Sequence, residues 1–510
     1  MGTLSLAELA SQVESGVWDG ALRRMVNLSN DQHEAQVDLV MYPAVKRVRA
    51  ASPSRPPSHI HQIVFKTVAD CNLRCRYPCY EYEDESWRLQ PARASFDTFR
   101  RVGARVGQHT LRHALDEEDV VLHGGEPFFM RHPEEYYDTG LTLLTKAARK
   151  INPDVKLRYS VQTNGLLLTK PLLDILDKHE VGVGVSIDGN KLTHDKRRVT
   201  KGGGKGSYDL MMRGLTLLTS DKYKHLFRGI LGVIDVESDP LEYYNALVKH
   251  NPPQIDLLLP FGNYDSLPPG LTGSNAPYAP WLLEIFKQWF YDVNAPDVRT
   301  FTSLGRSILG GASFTEAYGL NTGSEVVVNP SGSYELSDAL KIVADDLQVT
   351  GLDLKHDSLE KVAKLMRDQQ FLGVKPVAED CTPCELLEVC GGGHIENRYS
   401  SKDKYNNRSV YCADLMILIR GMTSVIRESI FKGETNRLQK DLAAFCPDCV
   451  GFPLHIKPEE PDVKQPRGHA ALTFCKQRSA SFMRLAQSHL RFLRFRLSEH
   501  GHRNKSGKGD

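Results

Sequence analysis

The alternation of apolar, strand-like runs with helical segments most constrains the fold of this chain. Six runs have strand character, at residues 60–68, 119–122, 155–161, 181–187, 227–234 and 255–259. Helical patterns separate them, including residues 133–150, 170–179 and 208–218. Repeated strand–helix units form a parallel sheet, and right-handed crossovers curl such a sheet toward a barrel. The sequence therefore predicts an α/β fold built on a partial parallel (β/α)6 barrel.

Polar and glycine-rich motifs stand directly after most of the predicted strands. A cysteine motif at 71–79 follows the first strand, His123-Gly-Gly-Glu-Pro127 the second and Gln162-Thr-Asn-Gly165 the third. Ser186-Ile-Asp-Gly189 closes the fourth strand, and Pro260-Phe-Gly-Asn263 follows the sixth. The loops after the carboxyl ends of parallel strands form the active site of a barrel. We therefore expect these motifs to share one site.

The cysteines fall mainly into two groups that are far apart in the chain. The first group is Cys71, Cys75 and Cys79, and the second is Cys381, Cys384, Cys390 and Cys412. Thiolates at such short spacings suit a metal or an iron–sulfur cluster better than disulfides. Three ligands would leave one iron of a 4Fe–4S cluster open to a cofactor or substrate. The pattern indicates a redox metalloenzyme.

The charge balance argues against nucleic acid and membrane partners. Lys+Arg number 64 against 63 Asp+Glu, so no global field attracts polyanions. No run approaches the roughly 18 apolar residues that span a bilayer. The first residues lack the basic and apolar character of a secretion signal. Together with the clustered thiols, these features predict a cytoplasmic protein.

Changes in pattern along the chain predict four regions. Residues 1–59 are expected to be a helical extension, followed by the barrel at 60–310. A cysteine-rich module at 311–425 contains a predicted β-hairpin at 325–335, and a helical, basic extension fills 426–510. In that extension a helix is expected at 482–497. Cys446 and Cys449 there have the spacing of a zinc knuckle, but no second pair lies nearby, so a free pair is the favoured interpretation.

Several of these motifs, taken in order, resemble the radical S-adenosylmethionine (SAM) enzymes. The resemblance rests on Cys71-Asn-Leu-Arg-Cys-Arg-Tyr77, Gly124-Gly-Glu-Pro127 and Ser186-Ile-Asp-Gly189, and it extends from about residue 60 to 420. The later cysteine module resembles the SPASM extension of members that modify peptides and proteins. Ser86-Trp-Arg88 and Cys390-Gly-Gly-Gly-His394 are similar to the branch that installs cyclophane cross-links in ribosomally made peptides.

The resemblance implies a cofactor set and partners. Cys71, Cys75 and Cys79 would hold a 4Fe–4S cluster whose fourth iron chelates SAM, and cleavage of SAM would give a 5′-deoxyadenosyl radical. A precursor peptide and an electron donor of flavodoxin or ferredoxin type are the implied partners. The SAM-binding residues implied are Tyr77, Gly124, Gly125, Glu126, Pro127, Asn164, Ser186 and Arg198.

Two departures from the family pattern bear on the metal sites. Pro78 lengthens the second gap of the first cysteine motif from two residues to three. Full SPASM modules carry seven cysteines for two clusters, whereas this module has four, enough for one auxiliary 4Fe–4S cluster. Tetrahedral zinc is the alternative, because four thiolates suit it equally. His394 is expected to be a structural histidine.

The catalytic base and the product are less constrained. Asp235, after the fifth strand, and Asp256, in the sixth, are each either a base toward the substrate or a structural carboxylate. The favoured function is cross-linking of an aromatic ring to a side-chain β-carbon of a precursor peptide. The alternatives are thioether or formylglycine formation on the same machinery, or a zinc-stabilised binding protein without catalysis.

Overall fold

The computed structural model describes residues 4–5, 36–37, 58–76, 85–273, 275–343 and 346–445. The chain divides into two compact units, one of residues 4–434 and one of residues 1–3 with 435–510. In the predicted N-terminal helical extension, the structure has two short antiparallel strands, β1 (Leu4–Ser5) and β2 (Gln36–Val37). Cys446, Cys449 and the predicted helix at 482–497 lie outside the described residues.

A ten-stranded sheet forms the centre of the larger unit. The six predicted strands are β3 (Gln62–Val68), β5 (Glu117–Gly124), β6 (Lys156–Thr163), β7 (Gly182–Ser186), β9 (Phe227–Val233) and β10 (Gln254–Leu258). The others in this sheet are β11 (Asp297–Val298), β12 (Glu325–Val328), β13 (Ser333–Glu335) and β14 (Val349–Asp353). A separate pair consists of β4 (Leu73–Cys75) and β8 (Arg198–Thr200).

The strand order confirms the predicted parallel architecture. The order is β11-β10-β9-β7-β6-β5-β3-β12-β13-β14, and every pair from β11 to β12 is parallel. Side chains alternate along β5, where Val120 and Leu122 are fully buried. These apolar side chains are β-branched or bulky, which suits a sheet packed between layers.

Helices follow most of the strands and cover the sheet. They are α1 (Phe96–His113), α2 (Pro133–Arg149), α3 (Lys170–Lys178), α4 (Lys191–Arg197), α5 (Tyr208–Leu218), α6 (Pro240–Val248), α7 (Tyr278–Tyr291), α8 (Arg299–Ile308), α9 (Leu359–Asp368), α10 (Leu387–Cys390) and α11 (Cys412–Phe445). Short 3-10 turns occur at Glu85–Leu89, Lys224–Leu226, Asp338–Ile342, Glu379–Cys381 and Glu396–Arg398. Side-chain caps begin several helices; Ser95, for example, accepts a hydrogen bond from Thr98 N.

The predicted hairpin extends the barrel sheet. Strand β12 lies parallel to β3, with Val328 opposite Phe65, and β13 returns antiparallel to β12. The start of the cysteine-rich module is therefore hydrogen-bonded to the first barrel strand. Helix α11 runs through the predicted boundary between residues 425 and 426. Among the described residues, no helix combines the length and apolar character needed to cross a membrane.

Candidate active site

One cavity of about 390 Å³ brings most of the predicted site residues together. Its lining includes Cys71, Cys75, Gly124, Gly125, Glu126, Asn164, Ser186, Arg198 and Asp256. The cysteine-rich module contributes to the same walls through Gly393, His394, Asn397, Ser409 and Tyr411. Pro127 and Asp235 are not part of the lining, and Tyr77, Pro78 and Cys79 lie outside the described residues.

The first cysteine loop is fixed by a short antiparallel pair. Cys75 in β4 lies opposite Arg198 in β8, and Leu73 lies opposite Thr200. The Leu73 amide donates to Cys71 Sγ at 3.4 Å. An amide directed at a thiolate sulfur stabilises its negative charge, which is a common feature of iron–sulfur sites. The pairing also ties the cysteine loop to the segment that carries Arg198.

Two glycines allow the loop after β5 to lie directly against the cysteine loop. Gly125 N donates to Val68 O at 3.1 Å, and Glu126 N donates to Asp70 O at 3.0 Å. Gly124 has φ +140°, and a Cβ there would lie 2.0 Å from Val68 O. A Cβ on Gly125 would lie 2.5 Å from Asp70 O. Only glycine is compatible with this approach, so the residues fit the cradle expected beside SAM.

Glu126 joins the loops after β5 and β6. Its carboxylate accepts hydrogen bonds from Thr163 Oγ1 at 2.7 Å, Asn164 N at 2.8 Å and Phe128 N at 3.3 Å. The side chain is buried. Burial raises the pKa of Glu126 to about 7, although the three donors oppose this shift. The geometry gives Glu126 a positioning role in the cavity wall.

The remaining predicted SAM contacts are themselves held by neighbours. Asn164 Nδ2 donates to Asn72 Oδ1 at 2.6 Å, and Gln162 Nε2 donates to Ser186 Oγ at 2.9 Å. The Arg198 guanidinium binds buried Asp188 through two bonds, at 2.8 and 3.2 Å. These contacts hold amide, hydroxyl and guanidinium groups at the cavity wall, where a polar cofactor can use them.

The two predicted base candidates differ in their surroundings. Asp235 accepts from Lys196 at 3.1 Å and from Arg197 at 3.1 Å. Burial opposes its ionisation, but these cations outweigh burial and lower the pKa of Asp235. Asp235 does not line the cavity and is paired with two cations, which is the setting of a structural carboxylate. Asp256 does line the cavity; burial raises its pKa, and the Arg299 guanidinium partly offsets that effect.

The cavity also contains a charged network that no sequence motif indicated. Asp338 lines the cavity and binds the Lys66 ammonium at 2.7 Å, with Lys341 at 3.5 Å. Burial opposes ionisation of Asp338, but the two ammonium groups hold its pKa below the ordinary value. Lys66 lies within the apolar strand β3, and a lysine at such a position indicates a buried acidic partner. Its partner is remote in sequence, so only the fold brings them together.

His394 lies within a second charged group, between two carboxylates. Its Nδ1 is 3.4 Å from Glu396 and 3.7 Å from Glu316. Glu316, Glu396 and Arg299 line the cavity beside it. His394 therefore contacts two carboxylates in the cavity wall, and its structural role stays a prediction.

Cys381 is buried, while the other three module thiols are half-buried like Cys71 and Cys75. Unlike Cys71 and Cys75, the module thiols do not line the cavity. Burial raises the pKa of Cys390 to about 11 and also raises those of Cys381 and Cys412. Arg398 lies beside them and is 1% exposed. A Cβ added to Gly392 would lie 3.6 Å from Arg398 Nη1 and 4.0 Å from Cys381 Sγ, so both atoms flank this glycine. Arg398 Nη1 donates to Pro376 O, but its Nε and Nη2 have no hydrogen-bond partner.

These observations fit an anionic metal group at the module. Buried guanidinium donors without a partner are costly, and a thiolate-ligated cluster supplies the missing negative acceptors. Four thiolates supply the ligands of either one auxiliary iron–sulfur cluster or a tetrahedral zinc ion.

Comparisons with known proteins find distant relatives of one kind. No family model matches the chain. A serine-type anaerobic sulfatase-maturating enzyme of Klebsiella aerogenes is 23% identical over 363 residues, covering 68% of this chain and 82% of that protein. A cysteine-type anaerobic sulfatase-maturating enzyme of Clostridium perfringens is 25% identical over 359 residues, covering 67% and 90%.

A solved structure has the same fold. The structure described as native anSMEcpe with bound AdoMet aligns with a TM-score of 0.60 and 22% identity, covering 73% of this chain and 99% of that one. The same protein has also been solved with AdoMet and a peptide named Cp18Cys. The predicted fold and the resemblance to radical SAM peptide maturases are confirmed, and the predictions of an enzyme and of SAM as cofactor agree with these names.

Proposed function

We propose that this protein is a radical SAM enzyme that oxidises a ribosomally made peptide by two electrons. The observation that carries the proposal is the single cavity shared by the Cys71–Gly125 end and the cysteine-rich module. A peptide segment in that cavity would contact both. The peptide bound to the related solved structure supports this class of substrate.

The chain's own groups divide the work in the cavity. Cys71, Cys75 and Cys79 would hold the first cluster, and the four module cysteines an auxiliary one. When bound, these groups and SAM supply a radical that takes hydrogen from carbon and an acceptor for one electron. Gly124, Gly125, Asn164, Ser186 and Arg198 would bind and orient SAM. The apolar residues Leu231, Leu257 and Phe261 in the lining limit water access.

We propose a carbon–carbon cross-link as the product. The peptide β-carbon loses a hydrogen atom, bonds to a nearby aromatic ring, and the ring carbon then releases a proton and an electron. Asp338 is our proposed proton acceptor, because it faces the cavity and two lysines keep it ionised. The electron donor that initiates each cycle is proposed to be a flavodoxin or ferredoxin, and the location the cytoplasm.

A second candidate function is oxidation of a serine or cysteine to formylglycine. The names of the relatives favour it. Serine oxidation and cross-linking both remove two hydrogens, so peptide mass does not separate them. Formylglycine has an aldehyde, whereas a cross-link does not.

The test is product analysis with the anaerobically reconstituted protein and peptides from short reading frames beside its gene. A cross-linked product loses about two hydrogens, resists fragmentation between the joined residues and does not react with a hydrazine probe. Labelling of the product by the hydrazine probe would show an aldehyde, and formylglycine formation would then replace cross-linking as the proposed function. Absence of SAM-dependent 5′-deoxyadenosine would contradict the whole proposal. Asp338→Asn should lower product about 100-fold while 5′-deoxyadenosine still forms, and Asp353→Asn, on the surface, is its control.

A further inference from the structure

Four histidines and a glutamate cluster at the opposite end of β3 from Cys71. His59 and His61 precede β3, His109 and His113 lie on α1, and Glu360 lies on α9. The ring centres of His109 and His113 are 4.6 Å apart, and those of His59 and His113 are 5.0 Å apart. A strand of this length places the cluster roughly 20 Å from the cavity end. None of these residues takes part in the proposed reaction.

Three of the side chains already have the spacing of ligands to one ion. His109 Nδ1 lies 2.8 Å from Glu360 Oε1, and His113 Nε2 lies 3.6 Å from the same oxygen. The three ligand atoms are all within 4.8 Å of one another. Ligands on tetrahedral zinc lie about 3.3 Å apart, given bonds near 2.0 Å. Histidines four residues apart on a helix lie on one face, which is the spacing that zinc-binding helices use.

The hydrogen bonding of His109 prepares it to ligate a metal. Its Nε2 lies 2.9 Å from Ile60 O and donates to that carbonyl, which leaves Nδ1 directed at Glu360. A metal-ligating histidine usually donates its other nitrogen to a carbonyl or carboxylate, because this bond fixes the ring and its tautomer. His109 is fully buried, while His113 is 30% exposed, so an ion can reach the group from solvent.

His59 lies beside this group, although its ring nitrogens are not within 4.8 Å of all three ligand atoms. Its Nε2 is buried without a hydrogen-bond partner, while Nδ1 contacts Ser58 Oγ at 3.0 Å. The His59 ring packs against the rings of His61, His109 and His113, with ring centres 4.1, 6.1 and 5.0 Å away. Arg112 and Arg367 add positive charge near His113, whereas Glu360 and Asp119 add negative charge near the cluster.

We propose that His109, His113 and Glu360, with His59 as fourth ligand, form a binding site for a divalent ion of the zinc, cobalt or nickel type. The ion would join the segment before β3 to helices α1 and α9. At the amino end of the sheet it would stabilise the barrel rather than take part in the reaction. The mixture of imidazole and carboxylate ligands suits such borderline ions.

The test uses the full chain with its iron–sulfur clusters reconstituted, so that the module thiols are occupied. Titration with Co²⁺ should give visible d–d bands without a thiolate charge-transfer band, and Zn²⁺ should displace the cobalt with one equivalent per chain. His113→Gln and Glu360→Gln should each weaken binding at least 10-fold. His225→Gln, an exposed histidine that also contacts a carboxylate, is the matched control and should bind normally.

Two further measurements test the site even if a variant is less stable than wild type. Iron content and the cluster absorption spectrum should match wild type in both variants, which shows that the barrel has folded. Zn²⁺ should raise the melting temperature of wild type but not of His113→Gln, because only the native site binds the ion. The proposal is overturned if cobalt shows thiolate bands, if His225→Gln lowers affinity as much as His113→Gln, or if wild type binds no added Zn²⁺.

Discussion

The two cysteine sites of this protein differ in enclosure and in charge. The first loop lies at the cavity wall, where Cys71 and Cys75 face open space and glycines make room for a ligand. The module thiols lie outside that lining, Cys381 is buried, burial raises the pKa of Cys390 to about 11, and buried Arg398 lies beside them. An open site with an incomplete ligand set suits the binding of a reactive cofactor. A closed site with four thiols and a compensating cation suits electron transfer or structure.

The largest expected effect tests the openness of the first site. Cys71→Ala/Cys75→Ala/Cys79→Ala should abolish SAM-dependent 5′-deoxyadenosine, a fall of at least 1,000-fold. It should retain about half of the roughly eight irons expected for two clusters. Cys475→Ala, outside both groups, is the control. Full retention of iron in the triple variant would mean that the first loop holds no cluster.

The second prediction tests the closed site. Cys412→Ala removes one of four ligands there and leaves the first loop intact. We expect SAM cleavage to continue while peptide product falls at least 10-fold, because the final electron has no acceptor. Measuring 5′-deoxyadenosine and product in the same reaction gives the ratio directly. Normal product yield would make the module structural and would favour zinc. Zinc at the module must then be distinguished from zinc at the histidine cluster. Zinc that remains bound in the His113→Gln variant would belong to the module.

Much of the barrel could be predicted because its pattern is local. Apolar runs gave six strands within three residues of their observed ends, and motifs after those strands identified most of the cavity wall. The pairing of β12 with β3 could not be read from either segment alone. Its parallel register depends on the whole barrel, which brings residues that are far apart in sequence to one sheet edge.

The missed site residues have the same physical cause. Lys66 and Asp338 meet only because β12 and the turn after β13 fold back beside β3. Arg398 gave no sign in the sequence of being buried beside Cys381. The spacing of His109 and His113 was visible on a helical pattern, but the ligand Glu360 lies 251 residues from His109. Sequence patterns therefore indicated which residue types form the site, but not which charged side chains pair with one another there.

The third prediction concerns that charge balance. Arg398→Met keeps much of the side-chain volume but removes the buried cation next to the module. One unit charge about 4 Å away is worth about 4 kcal/mol at an effective dielectric of 20. We therefore expect the auxiliary reduction potential to fall by on the order of 100 mV, with the first cluster unchanged. Redox titration followed by electron paramagnetic resonance separates the two. Arg408→Met, an exposed arginine near the same thiols, should shift the potential much less.

The smallest expected effect is a pH dependence confined to the scaffold of the first site. The folded pKa of Glu126 is about 7, above the ordinary value of 4.5, so the folded state holds its proton more tightly than the unfolded state. Stability from this group is therefore full below about pH 4.5 and is lost as pH rises through 7. The shift corresponds to at most about 3 kcal/mol, or a few degrees in melting temperature.

Glu126→Gln should flatten the dependence of melting temperature on pH between pH 5 and 8. The new side-chain NH2 group would face the Asn164 N–H, and two facing donors should lower stability at every pH. Glu135→Gln, exposed on α2, should keep the wild-type slope and serves as the control. Melting temperatures across this range give both the slope and the offset. An unchanged slope in Glu126→Gln would mean that the three donors to its carboxylate outweigh burial and keep it ionised. The contribution of Glu126 to stability would then be independent of pH between pH 5 and 8.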